Sequence, residues 1–198
     1  MDRLLLVGLL LTFAIAVSRP PSSDARLESR SPQNLSAHYL MESQYLDSLG
    51  IDTACLVIEV DQCRFRLYDA RRRLLRQGPC ATGMDSTLRA PDGRTWVFAT
   101  PRGVRRVHHK SDAPVWQRPD WYYIEEDLPL PESHDPQRLA IGMLGEYALD
   151  VGQGYLVHGS PYQRGIGQRI THGCVRLGDE DLRAVYATLN IGDQVVMR

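Results

Sequence analysis

Two stretches decide how this chain folds: Tyr155-Leu156-Val157-His158-Gly159-Ser160 and Thr171-His172-Gly173-Cys174-Val175-Arg176-Leu177. The first is a short apolar run that closes on a glycine, the pattern of a strand entering a turn. Twelve residues of loop separate His158 from Thr171, and Cys174 lies sixteen after His158. A loop of that length lets a histidine at the end of one strand meet a cysteine on the next turn. A thiol needs a neighbouring base or cation to become a nucleophile. Gly173 allows close backbone approach to a reacting carbonyl, and the N–H groups of Gly173 and Cys174 can form an oxyanion hole. Arg176 offers a planar fork suited to a carboxylate. His172, two residues before Cys174, shares its face in an extended segment and rivals His158 as the base. His158, His172 and Cys174 also read as a metal triad, but no fourth ligand has convincing spacing, so neither metal nor cofactor is expected.

Outward from these stretches the pattern is mostly strand. Residues 55–60 are apolar, 63–68 alternate Cys63, Phe65 and Leu67 against Arg64 and Arg66, and 74–81 return after Arg71-Arg72-Arg73. This is an antiparallel meander. Residues 96–99, 104–108, 121–124 and 155–158 are further strands, and 195–197 form a closing strand. Residues 179–189 carry helical spacing, with three acids in the first turn complementing the helix dipole. A turn centred between Arg71 and Arg72 sets Cys63 opposite Cys80, so a cross-strand disulfide is expected if the chain meets an oxidising compartment. Cys55 is expected to be buried.

The 198 residues are 43% hydrophobic and 24% charged, which excludes a disordered, collagen-like or coiled-coil chain. The 23 Lys and Arg against 24 Asp and Glu leave no global charge for nucleic acid. The balance hides a split: residues 61–118 carry thirteen basic groups against five acids, and 119–198 six against twelve. Two solvated faces explain that, or a cleft with a basic wall for an anionic substrate. Residues 1–18 open with Arg3, continue with an uncharged, mostly apolar run at 4–17 and reach a small-residue step at Ala16-Val17-Ser18. They are read as a signal peptide or an uncleaved N-terminal anchor, too short for a comfortable membrane span. Residues 19–50 are read as a linker with a short helix at 36–49, capped by Asn34 or Ser36 and ended by Gly50. Residues 51–198 make one domain.

The cysteine motif resembles that of the L,D-transpeptidase catalytic domain, the YkuD family, in its ErfK-like branch. His158, the loop, then Thr171-His172-Gly173-Cys174-Val175-Arg176 follow the family pattern, with Arg176 where many members carry Asn. Ala81-Thr82-Gly83, Thr100-Pro101-Arg102-Gly103 and the run from Leu144 to Gly159 resemble its upstream segments, so the resemblance covers residues 51–198. It implies a mostly β, sandwich-like catalytic fold with one or two short helices. It implies peptidoglycan stem peptides as substrate, a periplasmic or cell-envelope location, and acylation by carbapenems. Cys174 would be the nucleophile, His158 the base and acid, and the Gly159 carbonyl would orient the imidazole. His172, Gly173 and Cys174 would line the oxyanion loop, Arg176 and Thr171 would contact substrate, and Tyr147 would line the cleft. The acylated cysteine would pass its peptide to another stem peptide, to a lipoprotein or to another amine.

A hydrolase on the same scaffold and a catalytically silent wall-binding protein remain as alternatives. The membrane enters only if residues 1–18 stay attached. Residues 109–140, rich in Pro, Trp, Tyr and acids, form a lid over the cleft or an ordinary surface loop.

Overall fold

The computed structural model describes residues 32–198. The apolar run at 4–17 and the first part of the linker lie outside the described residues, and with them the expectations of export or anchoring. Among the described residues no helix is long and apolar enough to cross a membrane. The chain divides into two units between Tyr45 and Leu46. Helix α1 (Pro32–Ser48) begins earlier than its spacing implied, with proline in the first turn, so Asn34 and Ser36 lie inside it rather than capping it. Gly50 follows it at φ +64°, as a terminating glycine should.

The meander forms as expected: β1 (Cys55–Glu59), β2 (Arg64–Tyr68) and β3 (Leu74–Pro79) pair antiparallel. After them come β4 (Thr82–Gly83), the hairpin β5 (Thr87–Arg89) and β6 (Thr95–Val97), then β7 (Gly103–Arg106) and β8 (His109–Asp112). Next are β9 (Val115–Gln117), α2 (Asp120–Glu125), β10 (Leu139–Ile141), β11 (Tyr147–Asp150) and β12 (Leu156–His158). The chain ends with β13 (Arg169–Thr171), β14 (Val175–Arg176), α3 (Asp179–Thr188) and β15 (Gln194–Met197).

Two larger sheets hold the core. One has the order β3-β2-β1-β15-β7 and the other β14-β12-β11-β8. The closing strand β15 does not extend the meander in sequence order; it enters beside β1, parallel to it, with Leu56 opposite Val195 and Ile58 opposite Met197. Those four, with Phe65 and Leu67, meet Leu149, Val157 and Val175 of the second sheet and Leu182, Val185 and Leu189 around α3. Every one of them is at most 2% exposed, so apolar burial is the main stabilising term, at roughly 25 cal/mol per Å² removed from water.

The fold is thus mostly β and sandwich-like, with three α-helices among the described residues rather than one or two. The extra helix is α2, where residues 121–124 read as a strand. Aromatic β-propensity loses there to packing: Trp121 meets Phe98 and Trp116, Tyr122 meets Trp116, and Tyr123 is buried. Cys63 and Cys80 do face each other, and Cys80 N–H donates to Cys63 O at 2.8 Å. They are nevertheless free thiols. Cys63 sits at φ +51° and turns its sulfur to Thr82 Oγ1 at 3.4 Å. Burial, with Cys63 close by, pushes the Cys80 thiol up to about 12. Cys55 is fully buried.

Candidate functional site

β12 and β14 lie side by side and parallel, Val157 opposite Val175 and His158 opposite Arg176. Alternation along these strands sends Val157 and Val175 into the core and turns Leu156, His158 and Arg176 to the opposite face. Cys174, one residue before β14, falls beside Leu156, whose N–H donates to Cys174 Sγ at 3.4 Å. Thiol and imidazole therefore share one face of adjacent strands, one pleat repeat apart.

The His158 ring is fixed from behind. Nδ1 donates to the Gly159 carbonyl at 2.5 Å, which leaves Nε2 as the unprotonated, accepting nitrogen. Gly159 is closely packed: a Cβ there would lie 2.9 Å from Leu182 Cδ2 and 3.3 Å from Gly145 Cα, so a side chain would force its neighbours to shift. Burial lowers the imidazole to about 4; the Gly159 bond opposes this, and the Arg176 charge adds to it. Burial raises the Cys174 thiol to about 11, with the Leu156 N–H opposing and Asp150 adding. The resting pair is a neutral base beside a neutral thiol.

The segment carrying Cys174 is braced by the two upstream motifs. β13 pairs with β4, and Gly83 N–H donates to Thr100 Oγ1 at 2.8 Å while that hydroxyl donates to Gly173 O at 2.9 Å. Gly83 allows this approach, since a Cβ there would sit 2.5 Å from Thr100 N. Gly173 has φ +122°, and a Cβ would meet Tyr155 Cε1 at 2.8 Å. Thr171 Oγ1 donates to Cys174 O at 2.5 Å and accepts from Gly173 N–H at 3.2 Å. Two expectations change in consequence. Thr171 is buried and spends its hydroxyl inside the loop, so it does not face a ligand. The Gly173 amide is likewise taken, whereas those of His172 and Cys174 have no acceptor among the described residues.

The two histidines part company. The His172 ring stacks on Trp121 (4.1 Å, 15°), meets the edge of Phe98 and bonds Glu125 Oε2 at 2.6 Å. It is the contact between α2, inside the 109–140 segment, and the cysteine loop. Among the described residues no cluster of three His, Cys, Asp or Glu is placed to hold a metal ion. Tyr147 also differs from expectation. It stands one residue from Ala148, the partner of His158, and so points to the other face, where it stacks on Tyr186 of α3 at 4.1 Å. β11 turns Ala148 and Asp150 to the site's face, and Asp150, opposite Leu156, is a polar residue there that the sequence did not single out.

Arg176 opens into a cavity of about 470 Å³ lined by Tyr162, Arg164, Gly165, Gln168 and Ile170. Nη2 donates to Arg164 O at 2.8 Å, Nε is buried without an acceptor, and no carboxylate pairs with it among the described residues. Burial holds its guanidinium below the ordinary arginine range.

The model of the L,D-transpeptidase catalytic domain, YkuD, matches residues 55–197, and the chain belongs to that family. Probable L,D-transpeptidase YbiS of Escherichia coli (strain K12) is 30% identical over 122 residues, 53% of this chain and 39% of the relative. Probable L,D-transpeptidase ErfK/SrfK of Salmonella typhimurium (strain LT2) is 28% identical over 145 residues, 71% of this chain and 42% of the relative. The chain thus spans about two fifths of the length of these curated relatives. The solved L,D-transpeptidase from Mycobacterium smegmatis superposes with a TM-score of 0.51 at 24% identity, over 73% of this chain and 58% of that one, a likeness of fold.

Proposed function

We infer that this chain is an exported cysteine L,D-transpeptidase acting on peptidoglycan stem tetrapeptides. The observation that carries the inference is the shared face of Cys174 and His158, with the His158 Nδ1–H committed to Gly159 O. His158 Nε2 takes the thiol proton as Cys174 Sγ attacks the carbonyl of the third stem residue. The oxyanion is met by the amides of His172 and Cys174. The same imidazole protonates the departing D-Ala amine, leaving a thioester. An amine acceptor then resolves it, giving a 3→3 cross-link when that amine belongs to a second stem peptide. Arg176, charged and without a carboxylate partner among the described residues, suits a carboxylate of the donor peptide. Residues 1–18 supply export to the periplasm or tethering to the membrane, residues 19–50 the linker, and 51–198 the catalytic domain.

The test is to incubate the protein with disaccharide tetrapeptides and resolve products by mass spectrometry. Dimers lacking one D-Ala per bond are expected. Tripeptide alone identifies a hydrolase, and no D-Ala release refutes the proposal.

A further inference from the structure

A second basic basin, of about 600 Å³, lies at the far end of the site's face, lined by Val104, Arg105, Arg106, His108, Asp150 and Gln153. Three features connect it to Cys174. Asp150 occupies the site's face of β11, opposite Leu156, the residue whose N–H reaches Cys174 Sγ. Cys174 Sγ lies 4.0 Å from Gly154 O, in the turn that joins β11 to β12. Arg105 reaches the same turn from the edge strand β7. It donates to Gln153 Oε1 at 2.9 Å and to Gly152 O at 3.4 Å, and it covers the Tyr155 ring at 5.0 Å. That ring is the one against which Gly173 packs.

The charges in the basin are arranged, not merely basic. Arg105 and Arg106 pair with no carboxylate among the described residues; Arg106 donates to Gly192 O at 3.0 Å. Asp150 accepts Gly152 N–H on Oδ1 at 2.6 Å, leaving Oδ2 for a ligand. One acid close to the thiol with arginines beyond it complements an amine that carries a carboxylate on the adjacent carbon. The Arg176 cavity shares no lining residue with this basin. Two anionic peptides meeting at one sulfur are bound more favourably with a cation for each.

Building on the proposed function, we propose that this basin is the acceptor subsite, and that it selects an amine flanked by a free carboxylate, with Asp150 orienting the amine and Arg105 binding the carboxylate. The amine nitrogen attacks the thioester carbonyl, a C–N bond forms and the C–Sγ bond breaks. The amine's proton passes to His158 Nε2 and from there to the departing Cys174 Sγ. A free amino acid and the amino-acid end of a second stem peptide's side chain share this chemistry. A long-chain lysine amine, remote from its carboxylate, does not.

The experiment measures the ratio of transfer product to hydrolysed tripeptide in the full-length protein. The donor is a tetrapeptide, and the acceptors are a free D-amino acid, its carboxamide and a second tetrapeptide. For the wild type, the carboxamide is expected to lower the ratio about tenfold relative to the free acid. Arg105→Gln is expected to lower it about as much for the acid and to add little for the carboxamide, the non-additivity of two groups in contact. Arg105→Lys should recover part of the loss, and labelling of Cys174 by a carbapenem reports that each variant is folded. The better of the two acid-bearing acceptors identifies the source of the amine. An Arg105→Gln ratio that is unchanged, or that falls equally for acid and carboxamide, overturns the assignment. Absence of D-Ala release by the wild type overturns the proposed function itself, and the subsite with it.

Discussion

Two histidines precede the same thiol, His158 by sixteen residues and His172 by two, and their surroundings could hardly differ more. His158 sits on a strand with its ring pinned to its own neighbour's carbonyl, half-buried and held neutral, one nitrogen left open toward the face it shares with Cys174. His172 is two residues from Cys174 in sequence, yet its ring is engaged by Glu125 and Trp121 of α2. Nearness along the chain would favour His172 as the base; strand register, which sets His158 on the face of Cys174, is what favours His158 in the proposed mechanism. In the proposed mechanism His172 contributes its backbone amide, while its side chain ties the cysteine loop to α2.

The comparison can be broken most sharply by removing each ring in turn. His158→Ala is expected to lower the rate of D-Ala release by about 10²–10⁴-fold, the range for loss of a general base, with Cys174 still present and the fold intact by circular dichroism. His172→Ala keeps the amide and loses one hydrogen bond and one stack, so a fall of about tenfold is expected. Equal losses in the two variants would erase the distinction. Glu125→Gln retains a hydrogen-bonding group and removes a half-exposed charge, for which a change of about threefold is expected in the same assay.

The smallest expected effect is on pH. Protonation of His158 removes the base, so kcat/KM should fall as pH drops toward about 4, where that imidazole titrates. With the thiol held up to about 11, no second titration should intervene between pH 6 and 9, and the profile should be flat there. A bell-shaped profile inside that window would indicate a thiolate–imidazolium pair instead.

The parts of the site that were legible in the sequence were those written contiguously or flanked by obligatory glycines. Cys174, Gly173 and Arg176 come from one strand end, and the Ala81–Gly83 and Thr100–Gly103 segments were recognisable, although only the fold reveals that they brace Gly173. The meander was legible because period two and a turn of arginines fix its register, down to Cys63 facing Cys80. The rest depended on contacts between distant segments. Tyr147 and Asp150 lie on opposite faces of β11, and choosing between them needs the register with β12. The helical state of 120–125 depends on partners at Phe98, Trp116 and His172. The parallel entry of β15 beside β1 leaves no local mark at all.

The most direct measurement of the central claim is the intact mass of the full-length protein trapped with a stem tetrapeptide, followed by peptide mapping. The expected result is an adduct of the tripeptide unit on Cys174, with D-Ala released in equal amount, and neither event in Cys174→Ala. An adduct on Cys55, Cys63 or Cys80, or D-Ala release that survives Cys174→Ala, would contradict it.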